Sequence, residues 1–324
     1  MSSPSRPKLF PSQVCFVVED VPTAVHDCVS RFGWGPFQQF TAPVEDAEYR
    51  GFRGRKVTEV ALGMAGRVQV ELIHVHEGHD AIEAYQAEYG VGFQHLGVGV
   101  RSRDDALAHL EKLGGKLNSQ TEYAGLRIAF VDLPTGPAMF ELLEQAGQPS
   151  RKKGEATIED QTKKEDESSR PSDPNCFEVD RATIVTPDLN ATLAFYSEAF
   201  GWEGCGAHNA TLRHPYGESL MRRALARAGT LELELIEAQA DGSDPYAAHL
   251  RRGAHGLVHA GGPLRPADES KSSHNQSHGQ SRGKTEAGAA MLPYEWLETK
   301  ESFTLENWAG GPGALQMRRT STNA

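Results

Sequence analysis

Cysteine is scarce in this chain: four in 324 residues, at positions 15, 28, 176 and 205, with no C-x-x-C pair among them. That scatter offers neither a zinc knuckle nor a redox dithiol nor a disulfide framework. Two of the four, Cys15 and Cys28, lie inside apolar patterns and read as small hydrophobes, so a reducing, cytoplasmic setting is expected. Basic residues are short as well, 33 Lys and Arg against 44 Asp and Glu, a net charge of -11. Without a global basic field, no nucleic-acid partner is expected. No apolar run approaches the roughly 18 residues of a membrane-crossing helix, and Met1 to Phe10 has no signal-peptide core, so no membrane partner is expected either.

What is present is length enough for two cores. Gln13 to Val18 reads as a buried strand closed by Glu19-Asp20, and Pro22 opens a helix that stops at Gly33. A polar and aromatic stretch follows Trp34-Gly35-Pro36-Phe37. Lys56 to Met64 and Arg67 to Val75 then read as two strands joined by Ala65-Gly66. The order returns at once: an irregular segment, a strand from His95 to Val100, a helix capped near Ser102 and ending at Gly114-Gly115, then strands over Leu126 to Asp132 and Ala138 to Leu143. Two βαβββ modules stand in tandem, which predicts an α+β fold.

From Gly147 to Asn175 the composition turns to Lys, Glu, Asp, Ser and Pro, which predicts a flexible charged linker. Beyond it the first half is echoed. Phe200-Gly201-Trp202 repeats Phe32-Gly33-Trp34, Leu231 to Ile236 repeats Val68 to Ile73, and Gly253 to Val258 repeats Phe93 to Val98. A low-complexity insert, Asp268 to Ala289, interrupts the copy, and strands are expected at Tyr294 to Glu298, Ser302 to Trp308 and Gly313 to Met317.

Four polar residues recur at equivalent module positions: Gln13 opens the first strand, Glu71 lies in the fourth, His95 opens the fifth and Glu141 lies in the eighth. In this the chain resembles the vicinal oxygen chelate superfamily, which includes the glyoxalases, methylmalonyl-CoA epimerase, extradiol dioxygenases and the fosfomycin and bleomycin resistance proteins. The resemblance implies paired βαβββ modules that form cup-shaped mixed sheets around one divalent metal. It divides the chain into a metal-site domain at 1–147, the linker at 148–176, and a degenerate domain at 177–324 carrying the insert at 268–289.

Gln13, Glu71, His95 and Glu141 are then the implied metal ligands, a set of one imidazole and three oxygen donors that suits Zn, Ni, Co, Mn or Mg. The implied reaction is proton transfer on a small carbonyl or acyl-thioester substrate, as in an isomerase, epimerase or lyase. Glu141 and Glu71 are the candidate bases, and one of them must be loosely held during turnover. The arginines that glyoxalase I uses on glutathione would fall near Val17 and Val91, so glutathione is not favoured. A non-catalytic binding or resistance-type protein of the same fold is the alternative. An iron ring-cleaving dioxygenase wants two histidines and one carboxylate, and Gln13 argues against it. A homodimer is compatible with all three.

Taken singly, Gln13 is equally an ordinary strand-start residue, whereas an acid such as Glu71 or Glu141 inside an apolar strand needs a strong partner. His74, His76 and His79 form a competing cluster, read as surface histidines where the chain leaves the sheet. Trp34 and Phe37 read as core, and Tyr49, Arg53 and Arg55 either line a pocket or face solvent. The counterparts of the four ligands in the second copy are Arg181, Glu234, His255 and Gln316. Since arginine cannot ligate a metal, that copy is expected to bind none, although Arg181 could hold a small anion.

Overall fold

The computed structural model describes residues 9–145, 178–204, 206–214, 217–238, 245–251, 257–261, 303–306 and 316–319. The proposed linker and the low-complexity insert, with His255, His274, His278 and the strand expected at 294–298, lie outside them.

The first half forms β1 (Pro11–Val17), α1 (Val21–Phe32), β2 (Gln38–Tyr49), β3 (Phe52–Ala65), β4 (Val68–Glu77), α2 (Ala81–Tyr89), β5 (Gly92–Gly99), α3 (Arg103–Lys112), β6 (Lys116–Tyr123), β7 (Leu126–Leu133) and β8 (Gly136–Gln145). These strands close into a barrel in the order β1-β4-β3-β2-β6-β7-β8-β5. Each βαβββ module joins its first and last strands in parallel, β1 to β4 and β5 to β8, and β1 pairs with β5 antiparallel at the seam between modules.

Local chemistry sets the helix ends. The Asp20 side chain accepts from the Thr23 amide at the start of α1, and Gly33 ends the helix in the left-handed region at φ 65°. Three first-half elements were given no range by the sequence pattern, β6 among them. The polar stretch after Phe37 is β2, which pairs with β3 along its length but with β6 only at Glu48 and Tyr49. Pro43 therefore sits where one side of the strand needs no amide donor. The segment before β5 is helical, because Asp80 accepts from the Ile82 and Glu83 amides and pairs with the buried Lys56 at 2.7 Å.

Alternation along the strands sorts the barrel into two faces. Cys15, Val17, Val60, Ile73, Phe130 and Met139 point inward with Ala81, Ile82 and Tyr85 of α2. Val14, Phe16, Val70, Leu72, Leu96, Val98, Phe140 and Leu142 point outward into a larger core shared with α1, α3 and the second half.

The second half comprises β9 (Arg181–Thr186), α4 (Leu189–Phe200), β10 (Glu203–Gly204), β11 (His208–His214), β12 (Gly217–Ala228), β13 (Leu231–Glu237), α5 (Pro245–Arg251), β14 (Leu257–Gly261), β15 (Phe303–Glu306) and β16 (Gln316–Arg319). Its sheet runs β10-β12-β13-β9-β14-β15-β16, with β11 on β12. The two halves share one pairing pattern: Cys15 lies opposite Glu71 and Thr183 opposite Glu234, each in a parallel pair. Phe140 stacks on Phe200 with ring centroids 4.8 Å apart, and Trp202 Nε1 donates to the Leu9 carbonyl at 2.6 Å. No helix among the described residues is long and apolar enough to cross a membrane.

Candidate metal centre

Strand register assembles the site. Across the four neighbouring strands β4, β1, β5 and β8, one rung carries Glu71, Cys15, His95 and Met139. Two residues along, the next rung carries Gln69, Gln13, Gly97 and Glu141. With a side-chain period of two, both rungs share the inward face, so the four residues singled out from sequence are brought together at the buried side of the barrel.

His95 is completely buried, and its Nε2 lies 3.2 Å from Glu71 Oε2 and 3.2 Å from Glu141 Oε2. Neither approach has hydrogen-bond geometry: Nε2, both Oε2 atoms and Gln13 Oε1 are all buried without a hydrogen-bond partner. A protonated His95 can pair with both carboxylates; once that proton leaves, four such atoms would cost on the order of 1–3 kcal/mol each, a cost that a bound cation would relieve. A divalent metal fits the donor chemistry, taking one nitrogen and three oxygens.

Neighbouring residues hold the donors. A β-bulge separates the Cys15–His95 pair from the Phe16–Phe93 pair, leaving Gln94 as the extra residue. Gln94 Oε1 bonds the His95 Nδ1, which keeps a proton there and turns the Nε2 lone pair to the site. The Gln94 amide nitrogen in turn donates to Met139 Sδ at 2.9 Å. Gln13 Nε2 donates to Gln69 Oε1 at 2.9 Å, which fixes its oxygen inward. A Cβ on Gly97 would lie 2.1 Å from that oxygen, so glycine is what leaves room for it.

The electrostatics agree with a site built for positive charge. Burial alone would lower the His95 pKa, but Glu141 and Glu71 outweigh it and push it up to about 9. Burial raises the Glu141 carboxyl, with His95 opposing and Glu71 adding to the rise. Cys15, set down above as a small hydrophobe, belongs to the site: its thiol is pushed well up by burial, then by Glu71 and Glu141. Its sulfur, a Glu71 oxygen and a His95 nitrogen all lie within 4.8 Å of one another.

The sequence profile of the Glyoxalase/Bleomycin resistance protein/Dioxygenase superfamily matches residues 12–150. That match lies wholly within the N-terminal half of the chain. Among solved structures, a mutant of 4-hydroxymandelate synthase from Streptomyces coelicolor aligns at a TM-score of 0.45 with 14% identity, over 71% of this chain and 63% of that one. The present chain thus spans less than two thirds of that synthase. Methylmalonyl-CoA epimerase from Mycobacterium tuberculosis aligns at a TM-score of 0.33 with 18% identity, over 45% of this chain and 94% of that one. No protein of curated function matches.

The second half of the chain treats the corresponding carboxylate differently. Glu234 accepts from Thr183 Oγ1 at 3.0 Å and meets Arg223 Nη1 at 3.2 Å, both partners buried. Arg223 stands at the register position of Val60, so a fixed guanidinium occupies the charge role that a metal would take beside Glu71. Arg181 pairs with Glu232 and is thereby committed to a carboxylate already, against the expectation of a free anion site. Two sequence equivalences are corrected. By register the counterpart of His95 is His259, opposite Thr183, rather than His255. Gln316 lies on β16, which pairs with β15, so it does not neighbour β14 as Glu141 on β8 neighbours β5.

The remaining candidates separate from the centre. His74 and His76 lie within β4, not beyond the sheet, and each ring of the trio has its own partner: the Val18 carbonyl, Glu59 and Glu83. Arg53 and Arg55 face solvent in pairs with Asp46, Glu48, Glu45 and Glu77. Trp34 is core, and Phe37 packs over Gly63. Tyr49 packs half-buried on the inward cluster with Phe40, Leu62, Tyr89 and Ile128.

Proposed function

We propose that Gln13, Glu71, His95 and Glu141 hold one divalent cation, and that the protein moves a proton on the carbon beside a carbonyl of a small carbonyl or acyl-thioester substrate. Isomerase, epimerase or lyase is the reaction class. The observation that carries this reading is the set of four buried, unpartnered donor atoms converging from β1, β4, β5 and β8. A bound divalent ion supplies Lewis acidity that makes a neighbouring C–H more acidic.

The chain's own residues do the rest. Gln94 holds the His95 tautomer, and Gln69 holds the Gln13 carbonyl. A carboxylate takes the proton and returns it, Glu141 and Glu71 being the two in place; burial favours the protonated form of Glu141, with His95 opposing. Phe130, set edge-on to His95 at 5.0 Å, and Met139 keep the centre apolar and exclude water. The half-buried rings of Phe40, Tyr49 and Tyr89 form an aromatic approach for an apolar substrate body. In this reading residues 1–147 form the working domain, 148–176 a linker, and 177–324 a domain that has exchanged its metal for Arg223.

Two measurements test it. Purified protein should carry one divalent metal per chain, lost in His95→Ala. The loaded protein should wash deuterium from D2O into the carbon beside the carbonyl of an acyl-CoA or a 2-oxoaldehyde adduct. Stoichiometric metal with tight ligand binding and no exchange would assign the protein to the binding class instead. Absence of His95-dependent metal would remove the proposal altogether.

A further inference from the structure

Cys15 occupies the middle of the rung that holds Glu71 and His95, flanked by one on each side in the two strand pairings. It is completely buried, and its sulfur, a Glu71 oxygen and a His95 nitrogen are mutually within 4.8 Å. Glu141 touches His95 from the other side, on β8, and falls outside that mutually close group. His95 Nε2, on a completely buried side chain, and the buried Glu71 Oε2 lack hydrogen-bond partners beside this thiol.

We propose that Cys15 ligates the metal together with Gln13, Glu71 and His95, and that Glu141 is thereby left off the metal as the proton carrier. The inference rests on the metal reading above and revises its ligand set, exchanging Glu141 for Cys15. A cation that binds nitrogen and sulfur at about 2.0 and 2.3 Å in tetrahedral geometry holds them about 3.5 Å apart, so donors within 4.8 Å of one another close by at most about 1.3 Å. Charge favours the same division. One thiolate and one carboxylate neutralise a buried dication, whereas two carboxylates and a thiolate would leave a net negative charge away from water. On loading, the thiol proton passes to the solvent buffer and sulfur donates its lone pair to the metal. A sulfur donor shifts preference toward thiophilic divalent ions, zinc and cobalt, and away from magnesium and manganese.

Cobalt substitution of the full-length protein reads this directly. Wild type should bind one Co²⁺ per chain and show sulfur-to-cobalt charge-transfer absorption in the near ultraviolet. Cys15→Ser should abolish that absorption while cobalt stays bound. X-ray absorption at the zinc edge of wild type needs no variant and should find one sulfur neighbour at about 2.3 Å. Cys15→Ala should weaken Zn²⁺ binding by about tenfold or more, and Mn²⁺ by no more than about threefold. Glu71→Gln should weaken Zn²⁺ by tenfold or more, and Glu141→Gln by less than about threefold. Stoichiometric, His95-dependent cobalt without a sulfur neighbour overturns the Cys15 assignment and leaves the metal centre standing. Loss of metal in Glu141→Gln with retention in Glu71→Gln reverses the assigned roles. Absence of stoichiometric metal overturns both proposals.

Discussion

Replacing Gly97 with alanine tests the assembly of the centre without touching a donor. The added Cβ would stand 2.1 Å from Gln13 Oε1, 2.9 Å from its Cβ and 3.0 Å from its Cδ, where ordinary contact begins at 3.4 Å. The carbonyl oxygen must therefore retreat by about 1.3 Å, several times the roughly 0.2 Å tolerance of a metal–ligand bond. Because the crowding reaches back to the Gln13 Cβ, rotating the far end of the side chain does not relieve it. Divalent-metal affinity should fall by at least the 10–100-fold seen when a ligand's orientation is lost. Stability should change far less. Overpacking costs about 1–3 kcal/mol, partly offset by the 0.4–1 kcal/mol that alanine gains over glycine through the unfolded chain. The metal-free melting temperature should then drop by no more than about 8 °C. Titration calorimetry on metal-stripped protein, paired with thermal melts, separates the two effects. The double variant Gln13→Ala/Gly97→Ala should bind metal like Gln13→Ala alone, within about twofold, since the clash has lost its partner. Wild-type affinity in Gly97→Ala would refute the reasoning, as would a double variant much weaker than Gln13→Ala.

Three further outcomes follow from the same geometry. Gln94→Leu removes the acceptor at His95 Nδ1 and should weaken metal binding by about 10–100-fold with His95 still present; unchanged affinity would show that the tautomer is set elsewhere. The His95 proton, held up to about pH 9, must leave before Nε2 can ligate, so apparent affinity should climb by up to about tenfold per pH unit from pH 6 and flatten above about 9. Calorimetry in buffers of different ionisation enthalpy should find proton release on loading, and its absence at pH 7 would contradict the assignment. Arg223→Met strands the buried Glu234 and should destabilise the protein by about 3–5 kcal/mol while the first-half metal content stays at one per chain; a near-neutral melt would mean Glu234 needs no cation.

The barrel centre was largely legible because strand alternation is a strong code. Gln13, Glu71, His95 and Glu141 stand out as polar interruptions in apolar runs, and period-two placement sends them to one face. Cys15 escaped for the converse reason: in the run Val14-Cys15-Phe16-Val17 every residue is buried, and only the pairing partners reveal which face carries chemistry. Gln94 was hidden by the bulge, since an unbroken strand would point it away from His95. In the second half, local similarity around Gly253 to Val258 drew the alignment to His255, while the irregular register between Leu257 and His259 puts His259 opposite Thr183. Arg223 gave no signal because its counterpart is an ordinary core valine, Val60.

The strand β8 turns Glu141 toward the centre and Phe140 and Leu142 the other way, and Phe140 meets Phe200 and Trp202 from the opposite half. The wall that aims Glu141 inward is thus backed by rings of the second half, where Arg223 meets Glu234. Severing the chain after the barrel would bare those outward residues to water, and a fully buried phenylalanine alone is worth about 1.5–3 kcal/mol. The second half serves the barrel as a foundation, and the two are expected to melt, and to mutate, as a single unit.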